Sequence, residues 1–158
     1  MVRRYFVHSC ERDVYVSKRH LDFYARKVVG WALKDRMEQS LILETAQKAL
    51  QKRSFSGLLI FHSDRGSQYR ANSVQKLLMK RGIQMSQGLN AYDNAAMENF
   101  FGSMKAELMP LGKGFNSQEE AKLKVFEYIE MYYNKKRLHS TLGYMSPDEY
   151  EEKTEALA

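Results

Sequence analysis

From Glu38 to about Leu50 the apolar positions Leu41, Ile42, Thr45, Ala46, Ala49 and Leu50 recur at helical spacing, which predicts an amphipathic helix before the break at Gly57. Ahead of it, residues 26–33 are β-branched and aromatic and read as a strand, entered through Asp22-Phe23-Tyr24-Ala25, a sequence suited to a turn. Beyond Gly57, the uninterrupted apolar run at residues 58–61 fits a strand buried on both faces, with His62-Ser63-Asp64 at its C-terminal end. Asn72 or Ser73 is placed to cap a helix through Val74, Leu77, Leu78 and Met79 that ends near Gly82. Residues 83–86 read as a short strand and residues 87–93 as a loop.

A helix over about 94–108 sets Met97, Phe100, Phe101 and Met104 along one side, and Pro110, Gly112 and Gly114 close it. Ser117 and Glu120 have capping-box spacing ahead of a long helix whose buried stripe is predicted at Ala121, Val125, Ile129 and Tyr132. Ser146-Pro147-Asp148-Glu149 repeats the device, with proline at the first helical position. Alternating strands and helices favour an α/β sheet with helices on its faces, followed by a helical tail.

A chain of 158 residues suits one domain, and 44% apolar with 28% charged residues suits a globular one. No apolar run approaches the roughly 20 residues that span a bilayer, and the basic start lacks the apolar core of a secretory signal, so a cytoplasmic protein is expected. Cys10 is the only cysteine, which excludes an internal disulfide and a cysteine-rich zinc site and leaves oxygen or histidine for any metal. The net charge of +6 points to a polyanionic partner, and it is uneven: residues 1–57 hold 12 Lys and Arg against 6 Asp and Glu, whereas residues 111–158 hold 7 against 9.

Three segments carry candidate chemistry. His62-Ser63-Asp64-Arg65-Gly66-Ser67-Gln68-Tyr69 puts an acid just past a buried strand, where open α/β sheets bind ligands, although a turn-capping aspartate has the same look. Tyr92-Asp93-Asn94-Ala95-Ala96-Met97-Glu98 begins a helix on which Lys105, seven residues after Glu98, shares its face. Two carboxylates from a strand end and a helix repel unless a hard cation such as Mg²⁺ lies between them, and such a cation serves phosphoryl displacement. Read alone, Glu98 and Lys105 are more often solvated helix-surface residues. The third segment runs Tyr133-Asn134-Lys135-Lys136-Arg137-Leu138-His139-Ser140-Thr141-Leu142-Gly143-Tyr144-Met145-Ser146-Pro147. Its cations suit a nucleic-acid backbone, or a basic helix C-terminus favoured by the macrodipole.

Taken together, and with Leu21-Asp22-Phe23-Tyr24-Ala25-Arg26-Lys27-Val28-Val29-Gly30-Trp31-Ala32, these segments resemble the catalytic half, OrfB, of bacterial insertion-sequence transposases of the DDE class over roughly residues 20–150. The resemblance implies a ribonuclease H-like, integrase-core α/β fold: a mixed sheet flanked by helices with a helical C-terminal tail. It implies Asp64 and Glu98 as the second and third catalytic acids and the metal ligands, Lys105 as the helix lysine facing DNA, and Arg65, Lys135, Lys136, Arg137 and His139 as further DNA contacts. It implies Mg²⁺ (or Mn²⁺), transposon ends and target DNA as partners, strand cleavage by water followed by 3′-hydroxyl attack without a covalent protein intermediate, a homo-oligomer, and a site of action at the bacterial nucleoid.

The departures from the family pattern lie at the start. The family's first acid stands in a segment like Asp-Ile-Thr-Tyr-Ile, for which Asp13-Val14-Tyr15-Val16 is the nearest match, and Asp13 is the one replacement nominated. Eight residues between Asp13 and Asp22 leave little room for the two-strand hairpin, Asp22 matches a turn position, the Asp64–Glu98 interval is slightly short, and no helix-turn-helix region precedes the core. The chain therefore reads as residues 1–20, a remnant or altered first-strand region; 21–110, the catalytic core; and 111–158, a helical part of the same domain. The expectation is an N-terminally truncated copy, weakly active or inactive, with a non-catalytic DNA-binding or interfering fragment as the alternative.

Overall fold

The computed structural model describes residues 4–12, 16–34, 39–52, 59–63, 72–87, 95–109 and 115–156, with residues 4–19 described by backbone alone. Strands β1 (Arg4–Arg12), β2 (Val16–Asp22) and β3 (Lys27–Lys34) form an antiparallel meander. β4 (Leu59–Ser63) pairs parallel to β1, and β5 (Gln84–Gln87) parallel to β4, so the five-stranded sheet has the order β3-β2-β1-β4-β5. Parallel neighbours need long crossovers, and the helices α1 (Gln39–Gln51) and α2 (Asn72–Lys80) lie in them.

The first strands correct one expectation. Rungs from Phe6↔Asp22 to Arg12↔Val16 make a full hairpin within residues 4–22, so the segment expected to be a remnant holds β1 and most of β2. Only residues 13–15 are left to connect the strands, and a hairpin needs no more than a few residues there. Asp13 lies in that connection, outside the described residues.

The sheet is covered on both faces. Val29, Ile42, Ala49, Leu59, Phe61 and Leu78 pack together on the α1–α2 side. Leu21, Val28, Met97, Phe100, Val125 and Ile129 pack on the side of α3 (Ala95–Leu108) and α4 (Gln118–Phe126). Adjacent Val28 and Val29 thus belong to different cores, as the alternation of a strand requires. α1 lies directly against β3: a Cβ on Gly30 would stand 2.5 Å from the Thr45 carbonyl oxygen and 3.0 Å from Ala49 Cβ.

The C-terminal helix begins where Ser117 predicts, with its hydroxyl accepting the Glu120 N–H at 3.1 Å. Ala121, Val125 and Ile129 are buried as expected, but Tyr132 is exposed and Tyr133 is buried in its place. The cause is a π-helical stretch, Glu127–Tyr133, which ends with the Asn134 N–H on the Ile129 carbonyl at 3.0 Å. A five-residue hydrogen-bond step lets one more residue enter the turn and moves the inward position along by one. Finally α5 (Pro147–Glu155) opens on a complete capping box, Ser146 accepting from the Glu149 N–H and Glu149 from the Ser146 N–H.

Candidate active site and nucleic-acid interface

Met97, Phe100, Phe101 and Met104 anchor α3 to the sheet, which fixes what the helix turns outward. Glu98 is exposed in the first turn, where the helix dipole favours a carboxylate, and Lys105 is exposed two turns on along the same face. Gly102 lies between them, and a Cβ there would meet nothing within 4 Å. Glu98, Gly102 and Lys105 thus make an open stripe.

Asp64 and Arg65 lie outside the described residues. Ser63, the residue before them, is buried at the end of β4, paired with His8 on β1 and with Gln87 on β5. The acid of β1, Glu11, is three rungs past His8, opposite Ser17 of β2. Arg12, which ends the strand, is four residues beyond His8, about 13 Å at strand rise. Level with the end of β4, then, β1 offers no carboxylate. Asp22 is buried and accepts the Tyr24 N–H at 2.9 Å, which is turn-forming work.

Among the described residues no three His, Cys, Asp or Glu side chains gather into a metal cage. The donors the chain does offer, Glu98 exposed on α3 and Asp64 directly after Ser63, are hard oxygen ligands. They fit a Mg²⁺-like ion that keeps several waters and takes one or two carboxylates.

The third motif folds back on α3 and on β3. Tyr133 meets Phe100 edge to face with centroids 4.7 Å apart. Asn134 grips β3, whose outer edge has no strand beside it among the described residues: the Val28 N–H donates to Oδ1 at 3.0 Å and Nδ2 donates to the Val28 carbonyl at 3.1 Å. Lys135 and Lys136 are exposed at the helix end. Arg137 is partly buried, with Nε and Nη2 donating to Glu107 at 3.1 and 2.9 Å and its guanidinium 6.0 Å from the Tyr133 ring centre. His139 packs against Tyr133 at 5.1 Å, and burial, reinforced by the charges of Arg137 and Arg26, lowers its pKa to about 4. It is a neutral imidazole at physiological pH.

Sequence reasoning missed two features here. One is the Asn134 clamp, which joins residues far apart in the chain. The other is a small cavity between α3 and the third motif, where Arg26, Asn99, Ser103, Arg137, His139 and Thr141 converge. The only local signal for it was the i, i+4 spacing of Asn99 and Ser103.

The sheet order, with crossover helices on one face and α3 on the other, defines a ribonuclease H-like fold of the integrase type. The catalytic core domain of BIV integrase superposes over 96% of this chain and 96% of its own, with a TM-score of 0.70 at 17% identity. A chain of the simian T-cell lymphotropic virus intasome, solved in complex with PP2A regulatory subunit B56 gamma, matches over 92% of this chain and 53% of its own, with a TM-score of 0.72 at 12% identity.

Sequence comparison carries the assignment further. The integrase core domain pattern matches residues 6–88, and a second pattern of the same description matches residues 98–154. The chain belongs to the integrase core domain family. It is 41% identical over 134 residues to the transposase for insertion sequence element IS904 of Lactococcus lactis, covering 84% of this chain and 53% of that one. It is 38% identical over 135 residues to transposase InsF for insertion sequence IS3A of Escherichia coli, covering 84% and 46%. The chain spans about half the length of these curated relatives.

Proposed function

We propose that this chain is the catalytic-core portion of a DNA transposase, acting on transposon ends and target DNA. The carrying observation is the open Glu98–Gly102–Lys105 stripe on an α3 anchored by its apolar side to an integrase-type sheet. Asp64 and Glu98 are the residues that would hold Mg²⁺ or Mn²⁺, which supplies positive charge to the phosphoryl transition state when bound. Lys105 takes a backbone phosphate beside Glu98, and Lys135 and Lys136 add exposed positive charge at the end of the π-helical stretch. Arg65 extends the same surface from the segment after Asp64. The protein works as a homo-oligomer in the bacterial cytoplasm, at the nucleoid. No helix among the described residues is long and apolar enough to cross a membrane.

A specific observation favours a second reading, a non-catalytic DNA-binding or interfering fragment. β1 carries no acid level with the end of β4, so among the described residues that strand adds no carboxylate to the three that two-metal chemistry uses, and weak or absent strand transfer is expected. The test is strand transfer with pre-cleaved ends in Mg²⁺ or Mn²⁺. Joining that is robust and is lost in both Glu98→Gln and Asp13→Ala makes the chain a full recombinase with Asp13 as third ligand. DNA binding without joining supports the second reading, and absence of any DNA binding removes both.

A further inference from the structure

The cavity between α3 and the third motif has a composition of its own. It is about 90 Å³, room for roughly three waters or one tetrahedral anion. Arg26 and Arg137 bring guanidinium groups to it, Asn99 an amide, Ser103 and Thr141 hydroxyls, and no carboxylate lines it among the described residues.

These groups have capacity to spare. Glu107 engages Nε and Nη2 of Arg137, so Nη1 is without a partner among the described residues. Arg26 lies over the Phe23 ring at 5.5 Å and has no carboxylate partner among the described residues. It also sits at φ 53°, in the left-handed region where glycine or asparagine is at ease, so local backbone preference does not account for an arginine there. His139 lines the same cavity, its Nε2 is shut off from solvent, and among the described residues it has no hydrogen-bond partner. An unpartnered buried nitrogen beside two cations is costly unless something else completes the site.

We propose that this cavity binds one phosphate of a DNA backbone, with Arg26 and the free side of Arg137 neutralising it and Asn99, Ser103 and Thr141 donating hydrogen bonds. The inference rests on the DNA-acting reading above and adds a contact outside the Glu98–Lys105 stripe. Asn99 follows Glu98 directly, about 100° round the helix, and Ser103 is one turn on, so the cavity flanks the stripe. A strand tracking the stripe has a second phosphate site beside it. Burial first, and then the charges of Arg137 and Arg26, lower the pKa of His139, and an anion in the cavity would raise it by offsetting those charges.

The experiment is fluorescence anisotropy of a labelled duplex over a salt series, using the whole chain and variants checked for native circular dichroism. Each lost phosphate contact lowers the slope of log affinity against log salt by about 0.9. Arg26→Gln is expected to lower the slope by that amount, Ser103→Asp to weaken binding about tenfold by placing a like charge against the phosphate, and Lys80→Gln, on the other face of the sheet, to do neither. A parallel arm follows the His139 ring signals by NMR in inorganic phosphate against chloride at equal ionic strength, with Arg137, Arg26 and Glu107 as the charges that face it. Wild-type protein that binds no DNA overturns the transposase reading itself. Salt-dependent wild-type binding with both cavity variants unchanged overturns the cavity assignment alone. A His139 response to inorganic phosphate with an unchanged DNA slope makes the cavity a free-anion site and also overturns it.

Discussion

Asn134 and Val28, 106 residues apart, are joined by a reciprocal pair of hydrogen bonds of 3.0 and 3.1 Å. The asparagine amide presents one donor and one acceptor at the spacing of a backbone peptide, so it acts as a one-residue neighbour for the edge strand β3. Lys27, the residue before, is bound to Asp148 at 2.8 Å and Glu151 at 2.9 Å, which ties α5 to the same edge. α5 is thereby held against the same sheet on which α3 packs.

Replacing Asn134 with alanine leaves the buried Val28 N–H and carbonyl without partners. The expected loss is on the order of 2–4 kcal/mol in urea unfolding, and Asn134→Asp should lose nearly as much because a carboxylate cannot donate to the Val28 carbonyl. A loss under about 0.5 kcal/mol in both would mean that water serves the edge equally well.

Gly30→Ala should destabilise the chain by about 1–3 kcal/mol, since the added methyl meets the Thr45 carbonyl, which is helix backbone and cannot swing away. Thermal unfolding reads this directly. Gly102→Ala, with open space above it, should be neutral or slightly stabilising through helix propensity.

His139 links stability to pH. Its folded pKa of about 4 lies below the unfolded value near 6.5, so between those limits the unfolded chain binds more protons. The contribution is complete above pH 6.5 and is lost as pH falls toward 4. His139→Gln should flatten the stability curve in that window relative to wild type, and parallel curves for the two proteins would show that the ring is not held neutral.

Lys105→Ala should reduce the salt slope of DNA binding by about 1, because the side chain is exposed on α3 beside Glu98 and Gly102. Glu98→Gln should leave DNA binding equal or tighter, since it removes a negative charge from the stripe, while abolishing any divalent-ion-dependent strand transfer. Weaker binding in Glu98→Gln would assign that residue a positioning role in place of metal ligation.

Much of the architecture was legible because it is local. The apolar run before His62 became β4, the apolar side of α3 was named residue by residue, and the Ser146 capping box formed as its spacing demanded. The buried stripe of the C-terminal helix was legible as far as Ile129 and then failed by one residue. Helical periodicity assumes one kind of turn, and a π-helical stretch changes the step without leaving a mark in the pattern.

The candidate site divides in the same way. Glu98, Lys105 and the basic cluster could be nominated from the sequence only because three segments together carry a family's motif wording; each alone suits a solvated surface. That Arg137 also braces α3 through Glu107, and that Arg26 from the β2–β3 turn shares a cavity with Asn99 and Thr141, follows from packing between segments with no common periodicity.

By itself the sequence determined the elements from β3 onward, most of their buried faces and the family, because hydrophobic period, capping and motif wording act within a few residues of one another. The tertiary structure decided that residues 4–22 still close a full hairpin, that β1 brings no acid level with β4, and that Asn134 seals the sheet edge. Register and cross-chain pairing are set by how whole strands and helices fill a shared interior, and no local pattern records which partner a side chain meets there.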